Sequence, residues 1–402
     1  MAGNAVIGQS GGPTAVINQS LVGVIQAFKT HGHIDKLLGA RHGVRGMINE
    51  DFIDLSNTPD ELLERIALTP AAALGSTRDK PDADYCRKIF EVLKKNDVKY
   101  FFYIGGNDSC DTARICNDLA KEEGYELHVF HIPKTIDNDL RVHDHTPGYG
   151  SAAKFVASAI MGDNRDNASL PGIKVDIIMG RHAGFLTAAA ALGRQHPEDG
   201  PHLIYVPETP VTEEQILADV DKVYAKHGRC LLAVSEGVGT PDGKTFAEKM
   251  SENLERDAHG NIQLSGTGAL GDYFAGLIGK KLQPAGGKKL RVRADTFGYL
   301  QRSFAGYLSE TDATEARLVG KQAVVYSADS NNDQGSVCMT RKATGGSYSI
   351  DIHLEPLVNV ARHTKHVPAE FLNGHNNVSQ AFIDYAMPLV GTLPKIGTFD
   401  EL

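Results

Sequence analysis

"DVKYFFYIGGNDSCDTARICNDLAKEEGYELHVFHIPKTIDND", residues 97–139, decides the fold. Its core "YFFYI" is apolar without alternation, as a strand covered by helices on both faces requires. Gly105 and Gly106 interrupt it, and Asn107 and Asp108, good helix N-caps, open the helical stretch "NDSCDTARICNDLAKEEG". "ELHVFHI" is a second β-leaning run, and from it the chain emerges into Lys134, Thr135, Asp137 and Asp139. Strand, glycine turn, helix, strand is a βαβ unit. The order recurs in "NAVIGQSGGPTAVINQSLVGVIQAF" (4–28) and "IKVDIIMGRHAGFLTAAAALG" (173–193), and "RCLLAVSEGVG" (229–239) is a strand running into Ser235-Glu236-Gly237. Such units predict mostly parallel sheets whose ligands bind beyond the carboxyl ends of the strands. The polar clusters of this chain fall at those ends.

Composition narrows the function. The 402 residues suffice for two or three domains, and 41% hydrophobic with 23% charged residues is ordinary for a globular chain. A net charge of −9 offers no basic field for nucleic acid. Five cysteines without a CxxC spacing argue against a disulfide framework and suit a reducing, cytoplasmic setting. "MAGNAVIGQSGG" lacks a basic segment followed by an apolar core, so no signal peptide is expected. No apolar run of about twenty residues exists to span a membrane.

Each strand-end motif has a bland and a chemical reading. In "QSGGPTAVIN" (9–18), Gly11 and Gly12 let backbone approach a ligand closely, and helix-start N–H groups favour anions; a tight βα turn without ligand fits equally well. "YIGGNDS" (103–109), with Gly106 and Asp108, repeats the device, though helix capping alone accounts for it. Arg78 in "GSTRDK" (75–80) is a phosphate fork or a solvated loop arginine. In "MGRHAG" (179–184), Arg181 is the better functional candidate and His182 the more ordinary residue. "GVGTPDGKT" (237–245) fails the P-loop spacing, because Val238 stands where the first glycine is needed. "GTGALG" (266–271) matches GxGxxG but lacks the acidic residue about twenty positions on, so it reads as a loop before the helix "DYFAGLIGKKL". In an extended 133–141 segment, Thr135, Asp137 and Asp139 share one face. Two carboxylates and a hydroxyl can there deprotonate a substrate hydroxyl and hold a metal ion; the ordinary alternative is an Asx-turn cluster. Spacing leaves the direction of Lys134 open.

In order along residues 5–315, Gly11-Gly12, Gly75-Ser-Thr-Arg78, Gly105-Gly-Asn-Asp108, Pro133-Lys-Thr-Ile-Asp-Asn-Asp139, Met179-Gly-Arg181, Ser235-Glu-Gly237 and Gly298-Tyr-Leu-Gln-Arg302 resemble the phosphofructokinase family. Lys134, where ATP-dependent members typically carry glycine, and Asp108, where they carry a second small residue, resemble its diphosphate-dependent branch. The resemblance implies an α/β protein of two Rossmann-like lobes, each a mostly parallel sheet with helices on both faces. Residues 1–148 with roughly 303–350 would form the donor lobe. Residues 149–302 with part of the 351–402 tail would form the fructose 6-phosphate lobe.

The implied reaction is reversible, magnesium-dependent phosphoryl transfer from diphosphate to fructose 6-phosphate, giving fructose 1,6-bisphosphate and phosphate. Asp137 would be the general base, supported by Asp139, with Thr135 positioning the sugar or phosphoryl group and Arg181 neutralising developing charge. Lys134, Gly11, Gly12, Arg78, Gly106 and Asp108 would hold the donor. Met179, Gly180, Glu236, Tyr299 and Arg302 would bind the sugar phosphate. Arg293 would reach it from a neighbouring subunit, implying a homodimer or homotetramer. Asn107 stands where the family usually has its metal-binding Asp, leaving Asn107 and Asp108 as alternative Mg2+ ligands. Gly172 replaces an arginine of many ATP-dependent members, with Lys174 nearby but out of register. An Asp108 carboxylate about 4 Å from the α-phosphate of ATP would repel it by roughly 4 kcal/mol at an effective dielectric near 20. An ATP-dependent phosphofructokinase and a non-catalytic sugar-phosphate-binding paralogue are the rival readings; a dinucleotide oxidoreductase would rest on "GTGALG" alone.

Overall fold

The computed structural model describes residues 3–250, 268–283, 289–342 and 348–399. In chain order the strands are β1 (Asn4–Gln9), β2 (Leu37–Ala40), β3 (Phe52–Asp54), β4 (Val98–Gly105), β5 (His128–Pro133), β6 (Ile173–Ile178), β7 (Leu203–Tyr205), β8 (Cys230–Ser235), β9 (Val292–Thr296), β10 (Gln334–Arg341) and β11 (Ile350–Glu355). The chain forms two compact units, Met1–Ser151 with Arg302–Lys365 and Ala152–Gln301 with His366–Leu402.

The first unit carries a sheet of order β11-β10-β5-β4-β1-β2-β3. Its central pairs are parallel, and only the edges β2/β3 and β10/β11 run antiparallel. Buried "YFFYI" explains this placement. Phe102, Ile104, Ile7 and Phe130 pack with Leu21 and Val24 into one core, while Phe101, Tyr103, Val6 and Val129 pack with Ile89 and Cys116 into a second. Alternate residues of each strand serve opposite faces, so an all-apolar strand needs helices on both. The helices Ile17–Phe28 and Glu310–Ser327 lie close enough that a Cβ on Gly23 would meet the Arg317 carbonyl, and one on Gly320 the Ser20 carbonyl.

The second unit has a fully parallel sheet of order β7-β8-β6-β9. Val175, Ile177, Leu232 and Val234 form its core with Ile216, Phe274 and Ile278 from the helices Glu213–His227 and Ala269–Lys281.

Two local expectations change. Residues 133–141 are not extended, because β5 ends at Pro133 and Asn138 adopts φ +58°. The chain instead turns, with Asp137 N donating to Thr135 Oγ1 at 3.1 Å. Asp137 and Asp139 are thus approximated by a turn, not by strand alternation. Within "GTGALG", Ala269 begins a helix, so the described part of the motif is a helix start; Gly266 and Thr267 lie outside the described residues. The tail contributes β10 and β11 to the first sheet and the helix Gln380–Val390 to the second unit.

Candidate active site

In the first sheet, β1 and β4 are neighbours, with β2 beyond one and β5 beyond the other. The strand order reverses there, which opens a ligand crevice at the carboxyl ends. Both glycine turns emerge at those ends. Gly11 has φ +76°, its N–H bonds the Thr77 carbonyl at 3.0 Å, and Ser76 Oγ donates to its carbonyl at 2.6 Å. A Cβ on Gly11 would stand 3.0 Å from Lys134 Nζ; one on Gly12 would stand 2.7 Å from Arg302 Nη1 and 3.6 Å from Arg78 Nη2. Glycine is what gives these three cations room to converge.

Lys134 answers the question its position raised: it is 5% exposed and points back over Gly11. Burial, then the charges of Arg302 and Arg78, lower its ammonium pKa to about 8, with Asp137 and Asp139 pulling the other way. Three cations crowded at one strand end repel one another unless an anion joins them. The start of the helix Asn107–Glu122 adds backbone N–H groups, preceded by Gly106. Behind it, buried His131 bridges Ser336 Oγ (2.8 Å) and the Gly105 carbonyl (2.9 Å), and burial lowers its pKa to about 4. It is therefore a neutral strut that pins β4 to β5.

The carboxylates follow on the same side of the chain. Burial and the neighbouring Asp137 raise the Asp139 carboxyl to about 7, opposed by Lys365 and Lys134. Two facing carboxylates cannot both ionise cheaply, so the pair holds a proton near neutrality. Lys365, from the tail, was not expected here. Its backbone N donates to the Asp139 carbonyl at 2.7 Å, its Nζ donates to the His143 and Asp144 carbonyls at 3.0 and 2.8 Å, and burial lowers its pKa to about 8. No local pattern around "RHTKH" announces this contact; it arises because the tail folds back against the 133–141 turn.

The donor set suits a hard divalent cation. Asn107 Nδ2 donates to Asp139 Oδ2 at 3.3 Å, which leaves Asn107 Oδ1 buried and without a hydrogen-bond partner among the described residues. An orphaned amide oxygen beside a carboxylate is the hard-oxygen environment that an oxygen-preferring divalent cation takes. Asp108 is different: its side chain is 64% exposed and pairs with Lys80 at 3.3 Å. That partner and the solvent screen the repulsion anticipated against ATP, so its full 4 kcal/mol does not apply.

The second unit places the other candidates. β6 runs directly into Met179, Gly180 and Arg181. Met179 N donates to Gln301 Oε1 at 3.2 Å, and Gln301 Nε2 donates to the Gly298 carbonyl at 2.7 Å. Gln301 is a positioning residue that motif reading passed over between Tyr299 and Arg302. Ser235 Oγ donates to the Gly180 carbonyl at 2.5 Å and Glu236 N to the Ile178 carbonyl at 2.9 Å, which joins the ends of β6 and β8. Glu236 is buried, whereas Tyr299 is exposed. Arg293 lies exposed on the edge strand β9. Arg302 stands beside Gly12 and Lys134.

The phosphofructokinase sequence profile matches residues 4–326. The chain belongs to the phosphofructokinase family. It is 51% identical over 391 residues to the pyrophosphate–fructose 6-phosphate 1-phosphotransferase of Rhodospirillum rubrum, covering 97% of this chain and 94% of that protein. It is 36% identical to the protein of the same name from Halomonas elongata, over 96% of this chain and 91% of the other. The crystal structure of a pyrophosphate-dependent phosphofructokinase from Marinobacter aquaeolei superposes with a TM-score of 0.83 at 31% identity, covering 100% of this chain and 94% of that one. The two-unit α/β fold of this phosphofructokinase is thus shared by a solved relative of similar length.

Proposed function

We propose that this phosphofructokinase transfers a phosphoryl group reversibly between diphosphate and the 1-hydroxyl of fructose 6-phosphate, giving fructose 1,6-bisphosphate and phosphate. The observation that carries the donor reading is the buried Lys134 ammonium held over Gly11 beside Arg302 and Arg78. A compact, densely charged anion satisfies three converging cations, and full-length relatives are named for that donor.

Phosphoryl transfer needs positioning and charge stabilisation more than covalent chemistry. Lys134 and Arg78 hold diphosphate oxygens against the Gly11–Gly12 turn and the Gly106 helix start. Arg302 joins them, a donor role in place of the sugar-phosphate role that the motif implied. Asp137 takes the proton of the sugar 1-hydroxyl, and Asp139 shares that proton and orients the base. Thr135 holds the turn that presents Asp137. Arg181 neutralises charge on the transferring group, while Met179, Gly180, Glu236 and Tyr299 bind the sugar phosphate. Arg293, on an exposed edge, serves a neighbouring subunit of a homo-oligomer. Asn107 and Asp139 would hold Mg2+, which when bound neutralises and orients the diphosphate oxygens. Asp108, paired with Lys80, is the weaker candidate ligand. No helix among the described residues is long and apolar enough to cross a membrane, and we place the enzyme in the cytoplasm, where its substrates and its free cysteines are at home.

The test is purified protein with fructose 6-phosphate and Mg2+, given diphosphate or ATP, with fructose 1,6-bisphosphate read by aldolase coupling. Product with diphosphate and not with ATP is expected. Product with ATP alone would overturn the donor reading, and product with neither would favour the non-catalytic paralogue.

A further inference from the structure

The second unit contains a buried acidic cluster that phosphoryl transfer does not use. Asp176 lies within β6 at 0% exposure; neither of its carboxylate oxygens receives a hydrogen bond from a donor group among the described residues, and the Asp163 carboxyl is near enough to share a proton with it. Asp295 sits opposite it on β9, in register. Asp163 comes from the helix Tyr149–Ser169. One carboxylate oxygen from each of the three lies within 4.8 Å of the others. Asp163 Oδ2 is likewise buried and without such a donor.

Lys174, on the same face of β6, supplies the only cation that the cluster's ion pairs include among the described residues. It bonds Asp163, reaches Asp166 at 3.1 Å and Asp295 at 3.9 Å, and makes no ion pair with Asp176. Four carboxylates therefore face one ammonium. Burial and the charges of Asp163 and Asp295 push the Asp176 carboxyl well above the usual carboxylate range. A fully buried acid with no donor group at either oxygen requires either a proton or a cation.

We propose that Asp163, Asp176 and Asp295 bind a divalent cation of the hard, oxygen-preferring class, Mg2+, Mn2+ or Ca2+. The donors are all carboxylate oxygens, with no thiolate or imidazole to select a softer metal. The Asp295 side chain is 63% exposed, which gives the ion a route from solvent and leaves coordination positions for water. With the cation bound, the formal charge of Asp163, Asp166, Asp176, Asp295 and Lys174 moves from −3 to −1. The ion ties β6 to β9 at their middle, and these strands continue into Met179–Arg181 and Gly298–Gln301. It thereby stiffens both ends, sharing no residue with the Asn107–Asp139 donor set and not depending on the identity of the phosphoryl donor.

The experiment uses the full chain and Mn2+ alone, without diphosphate, with free Mn2+ followed by its paramagnetic resonance signal. The parent is expected to bind a class of Mn2+ that Asp139→Asn retains, Asp176→Asn abolishes and Asp295→Asn weakens at least tenfold. Asp295 is exposed, so Asp295→Asn keeps the test valid even where the buried substitution impairs folding. In thermal melts, Mn2+ should stabilise the parent and Asp139→Asn but not Asp295→Asn. Mn2+ binding by Asp176→Asn and Asp295→Asn equal to the parent, or loss of all Mn2+ binding in Asp139→Asn, would overturn the proposal.

Discussion

Replacing Lys134 by Met keeps an unbranched side chain of similar length over Gly11 and removes only the charge. A cation about 4 Å from a phosphate oxygen, at an effective dielectric near 20, contributes roughly 4 kcal/mol. Spread over the transferring group, this predicts a fall in kcat/KM for diphosphate of about a thousandfold. Stability should move the other way. The folded protein lowers the Lys134 pKa from 10.5 to about 8. Between those values the unfolded chain binds more protons, so stability rises with pH there, and the penalty of the buried ammonium is fully present below pH 8. At pH 7 that penalty is about 3 kcal/mol, so Lys134→Met should melt several degrees above the parent when no anion is present. Added diphosphate should stabilise the parent more than the variant, because it relieves a repulsion that the variant lacks. The assay is therefore a pair: aldolase-coupled kinetics and thermal melts with and without diphosphate. A variant within tenfold of the parent in kcat/KM, or one that melts lower, would refute the buried-cation reasoning.

Without metal, burial and the neighbouring Asp137 hold the Asp139 carboxyl up to about 7. Because the folded pair then binds a proton more tightly than the unfolded chain, its contribution to stability falls as pH rises from about 4 to 7, and metal-free melts of Asp139→Asn should lose that dependence; a dependence that persists contradicts the pairing. Asn107→Ala should raise the Mg2+ concentration for half-maximal activity about tenfold or more with a smaller effect at saturating Mg2+, and an unchanged Mg2+ titration would exclude Asn107 as a ligand. Asp108→Gly should improve kcat/KM for ATP, but by less than about tenfold because Lys80 already screens the carboxylate; no change in ATP kinetics would remove Asp108 from donor selection. Gly320→Ala drives a methyl into the Ser20 carbonyl and should cost about 1–3 kcal/mol of stability, so an unshifted thermal midpoint would show that the helix pair can part freely.

Much of the site was legible because its signals are local. Gly11, Gly12, Gly105 and Gly106 interrupt apolar runs, and a strand followed by a glycine turn puts whatever comes next at the sheet's carboxyl edge. The residues that reading missed act across long stretches of chain. Lys365 supports Asp139 from the tail through a backbone hydrogen bond that any residue type could make. Gln301 orients Met179 through a side chain that no periodicity marks. The spacing of Thr135, Asp137 and Asp139 allows an extended segment or an Asx-turn, and nothing in it reveals that Asn138 takes a left-handed φ.

By itself the sequence determined the βαβ order, the parallel sheets and the identity of the charged groups, since apolar runs and glycine interruptions are properties of neighbouring residues. Only the tertiary structure decided which charges meet. It brought Arg302, Arg78 and Lys134 to one pair of glycines, paired Asp108 with Lys80, left Asn107 Oδ1 without a partner among the described residues and buried Asp176 among acids. Charge acts through distance and dielectric, and both are set by how strands far apart in sequence lie side by side in the sheet.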